Sequence, residues 1–114
     1  MKTNEILETV VSEINEKMFK LCGMPIVHSC FINGEYGLQL YLPEQVIHDE
    51  ITLCRDSYYL KISNKPIEDK DAMYKAIYKK VKRNEDDIYE FISPENEDTD
   101  ICLSRIIKIL KGEM

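Results

Sequence analysis

A two-layer α+β domain is expected of this chain, spanning residues 1–114 as one unit. It comprises an N-terminal amphipathic helix, an antiparallel four-stranded meander and two to three C-terminal helices. Three observations predict it. Apolar residues recur at helical spacing from Leu7 to Leu21. Between Ile26 and Ile62 they alternate with polar ones or crowd into β-branched and aromatic runs. From Met73 onward the helical spacing returns. One helical layer on one apolar sheet face buries both patterns.

Residues 4–22 form the first expected helix. Leu7, Val11, Ile14, Met18 and Leu21 make its stripe, and Ile6, Val10 and Phe19 widen it. Glu8, Glu13, Asn15, Glu16 and Lys20 fill the polar remainder. Thr3 or Asn4 can accept the free first-turn amides, and Gly23 with Pro25 stops the helix. Four strands follow. Ile26–Ile32 is the first, the five residues Asn33 to Gly37 are a hairpin loop, and Leu38–Leu42 is the second. Leu38, Leu40 and Leu42 share its inner face, with Gln39 and Tyr41 opposite. After Pro43-Glu44 the third runs over Val46–Cys54, and past Arg55-Asp56-Ser57 the fourth is Tyr58–Ile62, with Tyr58, Leu60 and Ile62 inward. The open sheet face then carries Gln39, Tyr41, His48, Glu50, Thr52, Tyr59 and Lys61.

Met73, Ile77 and Val81 mark the next helix, with Ala72 and Ala76 filling in. Asn84 before Glu85-Asp86-Asp87 reads as an N-cap with an acidic first turn, so a short helix is expected over 85–92, burying Ile88, Phe91 and Ile92. Ser93-Pro94 ends it and residues 95–98 are a solvated loop. A last helix over about residues 100–111 buries Cys102, Leu103, Ile106, Ile107 and Leu110, with Lys108 and Lys111 at its C-terminal end.

Charge is divided along the chain. The net charge is −6; residues 65–83 sum to +4, whereas residues 84–100 hold eight carboxylates and no cation. An overall acidic surface argues against general affinity for nucleic acid or anionic lipid and fits a protein partner with a basic surface. No apolar run exceeds three residues, far short of the ~20 that span a bilayer. The N-terminus leads into an amphipathic pattern rather than a signal sequence, and the expected compartment is the cytoplasm. Cys22, Cys30, Cys54 and Cys102 lie in apolar patterns without close pairing, which suits reduced, mostly buried thiols.

Catalytic and cofactor chemistry find little support. His28 and Cys30 share a strand face, as do His48 and Cys54, but the latter two stand ~20 Å apart along a strand, so at most three of the four could meet one zinc ion. Without a Cys-x-x-Cys anchor, we expect no metal. Cys30 beside His48 lacks an orienting third group, and Asp49 and Glu50 point to opposite faces. The glycines, at 23, 34, 37 and 112, form no phosphate loop. We therefore expect neither enzyme activity nor a cofactor.

Two charged segments are left. Lys75, Lys79 and Lys82 lie at i, i+4 and i+7 beside Tyr74 and Tyr78, which could track a nucleic-acid backbone and stack bases. The alternative is a solvated face with its tyrosines at the core margin. The acids Glu85, Asp86, Asp87, Glu90, Glu95, Glu97 and Asp98, with Tyr89 as an aromatic anchor where exposed, form the candidate protein-binding surface. Part of that acidity serves helix N-termini, and part could fold back onto the basic helix. Carboxylates in a row also resemble a phosphate backbone and would fit a protein's nucleic-acid groove.

In size, acidity and absence of motifs the chain resembles phage-borne inhibitors such as anti-CRISPR proteins and anti-restriction DNA mimics. That resemblance implies an inhibitor of a nucleic-acid-handling or defence protein. Residues 4–42, an amphipathic helix followed by Gly23-Met24-Pro25 and a hairpin, are similar to the opening of type III secretion chaperones, which implies an acidic dimer. The later helices depart from that pattern. No functional residue is carried over from either likeness, and monomer and homodimer both stay open.

Overall fold

The structure, a computed structural model, describes residues 2–22, 25–41, 58–92 and 97–114, and the side chains of all of these except 22, 91, 92 and 97–103. Helix α1 (Thr3–Cys22) leads into strands β1 (Val27–Ile32), β2 (Glu35–Leu40) and β3 (Tyr58–Ser63). Helices α2 (Lys70–Arg83), α3 (Glu85–Ile92) and α4 (Glu97–Leu110) follow. The fold is α+β.

The four-stranded meander is not what forms. Among the described residues the sheet has three strands, antiparallel and in the order β1-β2-β3. Strand β3 takes the edge of β2 that the meander assigned to Val46–Cys54, so no strand stands between them. That segment, with Leu42 and Pro43-Glu44, lies outside the described residues. The first hairpin is also tighter than expected. Asn33 and Gly34 alone make the turn, both left-handed at φ 53° and 78°, and Ile32 faces Glu35 across it. An Asn-Gly pair accepts positive φ at both positions, which matches the strand twist, so Glu35, Tyr36 and Gly37 belong to β2. The β2–β3 register shifts between Tyr36 and Gly37, where Ile62 is the extra residue on β3.

One sheet face is apolar. Val27, Leu38, Leu40, Leu60 and Ile62 are buried, as alternation predicted for those of β2 and β3, while Tyr58 is half-buried against them. Helix α1 covers this face at β1, α2 covers it at β3, and α4 packs on α1 and α2. Buried residues from all three strands and all four helices join in one hydrophobic cluster. From α1 it takes Ile6, Leu7, Val10, Val11, Ile14 and Met18; from α2 it takes Met73, Ile77 and Val81. Phe19 does not join it: the residue is 51% exposed, so the apolar stripe of α1 is narrower than the spacing suggested.

The helix ends correct three expectations. Neither Thr3 nor Asn4 serves the first turn of α1; Thr3 is buried, and its hydroxyl accepts instead from the Ile67 amide at 3.1 Å, tying α1 to the segment before α2. Asn84 acts backward: its backbone N–H bonds Lys80 O and Val81 O, and its side-chain amide donates to Lys80 O at 2.8 Å. It closes α2, while its carbonyl accepts from Ile88 to start α3. Helix α4 begins at Glu97 rather than near residue 100, because an acidic first turn is favoured at a helix N-terminus. Its far end is closed by Gly112 at φ 73°, with Gly112 N–H to Ile109 O and Glu113 N–H to Lys108 O. Ile88 is buried as expected, as are Ile106, Ile107 and Leu110, with Ile109 added. The side chains of Phe91, Ile92, Cys102 and Leu103 lie outside the description.

Candidate functional site

The acidic residues separate into groups. On α3, Glu85 is engaged within the chain: its Oε1 accepts from Lys111 Nζ at 3.1 Å, and Glu113 lies 3.6 Å from the same ammonium. The Glu85 hydrogen bond raises the Lys111 pKa despite partial desolvation. Asp86, Asp87 and Glu90 are exposed and form no ion pair with a described residue. Asp86 and Glu90 share a helix face. Tyr89 is half-buried against the core and donates to Ser104 Oγ at 3.2 Å, so it is built into the α3–α4 contact rather than standing free. Glu97 and Asp98 start α4 with their side chains outside the description, and Glu95 lies outside it altogether.

Helix α2 separates its lysines from its tyrosines. Lys75, Lys79 and Lys82 are exposed. Tyr74 and Tyr78 are half-buried and pack on the core with ring centroids 5.4 Å apart. Tyr74 donates to Glu13 Oε2 at 2.7 Å, and burial, then that bond, pushes its phenol pKa up. The Tyr78 ring lies over Gly112, leaving no room for a Cβ, and burial raises its pKa as well. Both rings are therefore poorly placed to stack bases. Glu13 ties α1 to α2: it also pairs with Lys70, and that bond first, then the one from Tyr74, lowers its carboxyl pKa.

On the open sheet face, Gln39 pairs with His28 on one side and Tyr59 on the other. The Tyr59 ring lies across Gly37 and its hydroxyl donates to Glu35 O at 3.4 Å. Cys30 is a free, half-buried thiol whose pKa burial raises, and Tyr41 meets His28 edge-to-face at 5.1 Å. His48, Glu50, Thr52 and Cys54 lie outside the described residues. Among the described residues no group of three or more His, Cys, Asp or Glu could hold a metal ion, and no helix is long and apolar enough to cross a membrane.

A different surface concentrates exposed apolar side chains. Between α1 and the outer edge of β1 runs a groove of about 380 Å³, continued past Ser29 by a second hollow of about 250 Å³. Phe19 lines the first and Phe31 the second; Phe31 is 59% exposed although its ring touches Tyr36 at 4.7 Å. Glu8 lines both, and Glu16 the first. Asn15 closes one end of the strand edge. Its Oδ1 accepts from the amides of Ile26 (3.2 Å) and Val27 (3.1 Å), and its Nδ2 donates to Val27 O at 2.7 Å. A side-chain amide thus occupies the place of a neighbouring strand's peptide group.

Asn15, Phe19 and Phe31 were not among the candidate residues from sequence. Asn15 left one weak signal: asparagine is a poor helix former in the middle of a strongly periodic helix. Compared with family models, with curated proteins and with solved structures, the chain matches none of them.

Proposed function

We propose that this protein is a non-catalytic binding module for another protein, one with a basic surface. The observation that carries this is the groove beside β1, where Phe19 and Phe31 are exposed at two ends of a trough walled by Glu8 and Glu16. Exposed rings flanked by carboxylates suit a protein contact, since the rings supply buried area and the charge supplies orientation. The test is affinity capture with the wild-type chain and with a Phe19→Ser/Phe31→Ser double variant as bait. A partner held by the first and lost by the second, with unfolding curves alike, is the expected result. Equal capture by both would move the contact elsewhere.

A second reading rests on Asp86, Asp87 and Glu90, which are exposed and unpaired among the described residues. Presented to the basic groove of a nucleic-acid-handling or defence protein, they would make the chain an inhibitor that imitates phosphate. Asp86→Lys with Glu90→Lys should then abolish inhibition and leave folding intact. The competing nucleic-acid reading, through Lys75, Lys79 and Lys82, is tested by mobility shift at low salt; tight, salt-sensitive binding lost in a triple Lys→Glu variant would favour it.

A further inference from the structure

We infer that β1 receives an extended, basic segment of the partner as an added strand, a step that deepens the protein-binding reading and rests on it. The backbone sets the geometry. Tyr41 N–H bonds Ile26 O, and the two-residue turn makes Ile32 and Glu35 a bonded pair. Bonding alternates along an antiparallel pair, so the Ile26 carbonyl and the peptide groups of His28, Cys30 and Ile32 face β2, while the Ile26 N–H turns to Asn15 and Val27, Ser29 and Phe31 direct their peptide groups outward. Asn15 satisfies the outward groups of Val27. No described residue bonds those of Ser29 or Phe31, so among the described residues two rungs of the ladder stand open beside the groove. An unpaired edge of this kind is a template for a further strand.

The walls select the occupant. A strand added here turns every second side chain toward α1, where Glu8 and Glu16 stand and, among the described residues, no lysine or arginine lines the groove. Lysine or arginine at those positions pairs its charge with the two carboxylates and lays its alkyl stem on Phe19 or Phe31. A second copy of this chain is disfavoured, because edge-to-edge pairing would set its own Glu8 and Glu16 against the first pair. Nucleic acid meets the same repulsion.

The probe is a blocked peptide alternating Lys and Val, with a Glu/Val peptide as control, added to the full chain. The Lys/Val peptide should bind, more weakly as salt rises. The amides of Ser29 and Phe31 should then exchange at least about tenfold more slowly, while Cys30, already paired to β2, stays unchanged. Glu8→Lys with Glu16→Lys should weaken binding about tenfold or more. Ser29→Pro removes only an outward N–H and should abolish it; in case proline perturbs the strand, a peptide N-methylated on its pairing face blocks the same rungs without altering the protein. Binding with unchanged exchange at Ser29 and Phe31 would overturn strand addition yet leave the binding module standing. If no Lys/Val peptide binds while the Phe19/Phe31-dependent capture persists, the basic segment is wrong. A free chain that is already dimeric, with both amides protected, would make the second copy the occupant and also overturn the inference.

Discussion

Replacing Asn15 by alanine removes the three hydrogen bonds that close the start of β1: the two accepted from the Ile26 and Val27 amides and the one donated to Val27 O. Ile26 and Val27 are fully buried, so the orphaned Ile26 amide and Val27 peptide groups regain water through the neighbouring groove that Val27 lines. At about 1 kcal/mol net for each bond the loss is about 3 kcal/mol. Alanine is the better helix former by roughly 0.6 kcal/mol, which leaves a net destabilisation of about 2–2.5 kcal/mol. For a domain of this size that lowers Tm by about 8–10 °C, measured by circular dichroism on heating and checked by urea unfolding. Asn15→Asp separates the parts: the carboxylate keeps both amide bonds but sets an oxygen against Val27 O, so an intermediate loss is expected. An Asn15→Ala protein as stable as wild type, or more so, would show that helix propensity decides at this site and that the strand edge needs no closure.

Gly37→Ala sets a Cβ 2.7 Å from both Leu60 O and the Tyr59 ring, and since the carbonyl is backbone the sheet must shift; a loss of about 1–3 kcal/mol is expected by thermal unfolding, and an unchanged Tm would contradict the ring-over-glycine packing. Gly112→Ala forces a side chain to positive φ under the Tyr78 ring and should cost about 1–2 kcal/mol for the backbone alone; Tyr78→Ala in the same chain should recover only the steric part. The carboxyl of Glu13 is held below its ordinary 4.5, so its contribution is present above that value and lost as pH falls through the lower folded one. Glu13→Gln should therefore flatten the acid limb of the stability–pH curve, and parallel limbs would refute the tie to Lys70 and Tyr74. The Lys111 ammonium is held above its ordinary 10.5, so its contribution is present below that value and lost as pH rises through the folded one. A Glu85→Gln/Lys111→Gln cycle at neutral pH should give a coupling of no more than about 1 kcal/mol, because both groups keep some contact with water.

The helices were readable because each buries a stripe wide enough to fix its period. The span 85–92 came out of an acidic first turn and the residue before it, although the Asn84 side chain serves the helix behind, and only its carbonyl serves the one ahead. The sheet was readable in its alternation and not in its partners. Nothing local in Tyr58–Ser63 says that it pairs with β2, since strand order is decided by long-range packing. The candidate site was the least legible. Tyr74 and Tyr78 do lie at the core margin, as the solvated-face reading had it, but nothing in the sequence marks the hydrogen bonds of Tyr74 and Tyr89 to Glu13 and Ser104. Phe19 and Phe31 sit within apolar patterns and look like core residues until α1 and β1 are placed side by side.

The junction at Asn84 has a consequence for recognition. One residue ends α2 and starts α3, with its amide, side chain and carbonyl all engaged. These bonds tie α3 to α2, and Tyr89 and Lys111 tie it to α4 and the residue that follows α4. The backbone beneath Asp86, Asp87 and Glu90 is thus placed by bonds within the chain, while their exposed carboxylates keep their rotamer freedom. On the inhibitor reading, binding would order these side chains but not the helix that carries them. If that reading holds, discrimination between partners would depend on how well a row of charge on this helix fits, and loosening the junction by Asn84→Gly should broaden the range of surfaces accepted while weakening each.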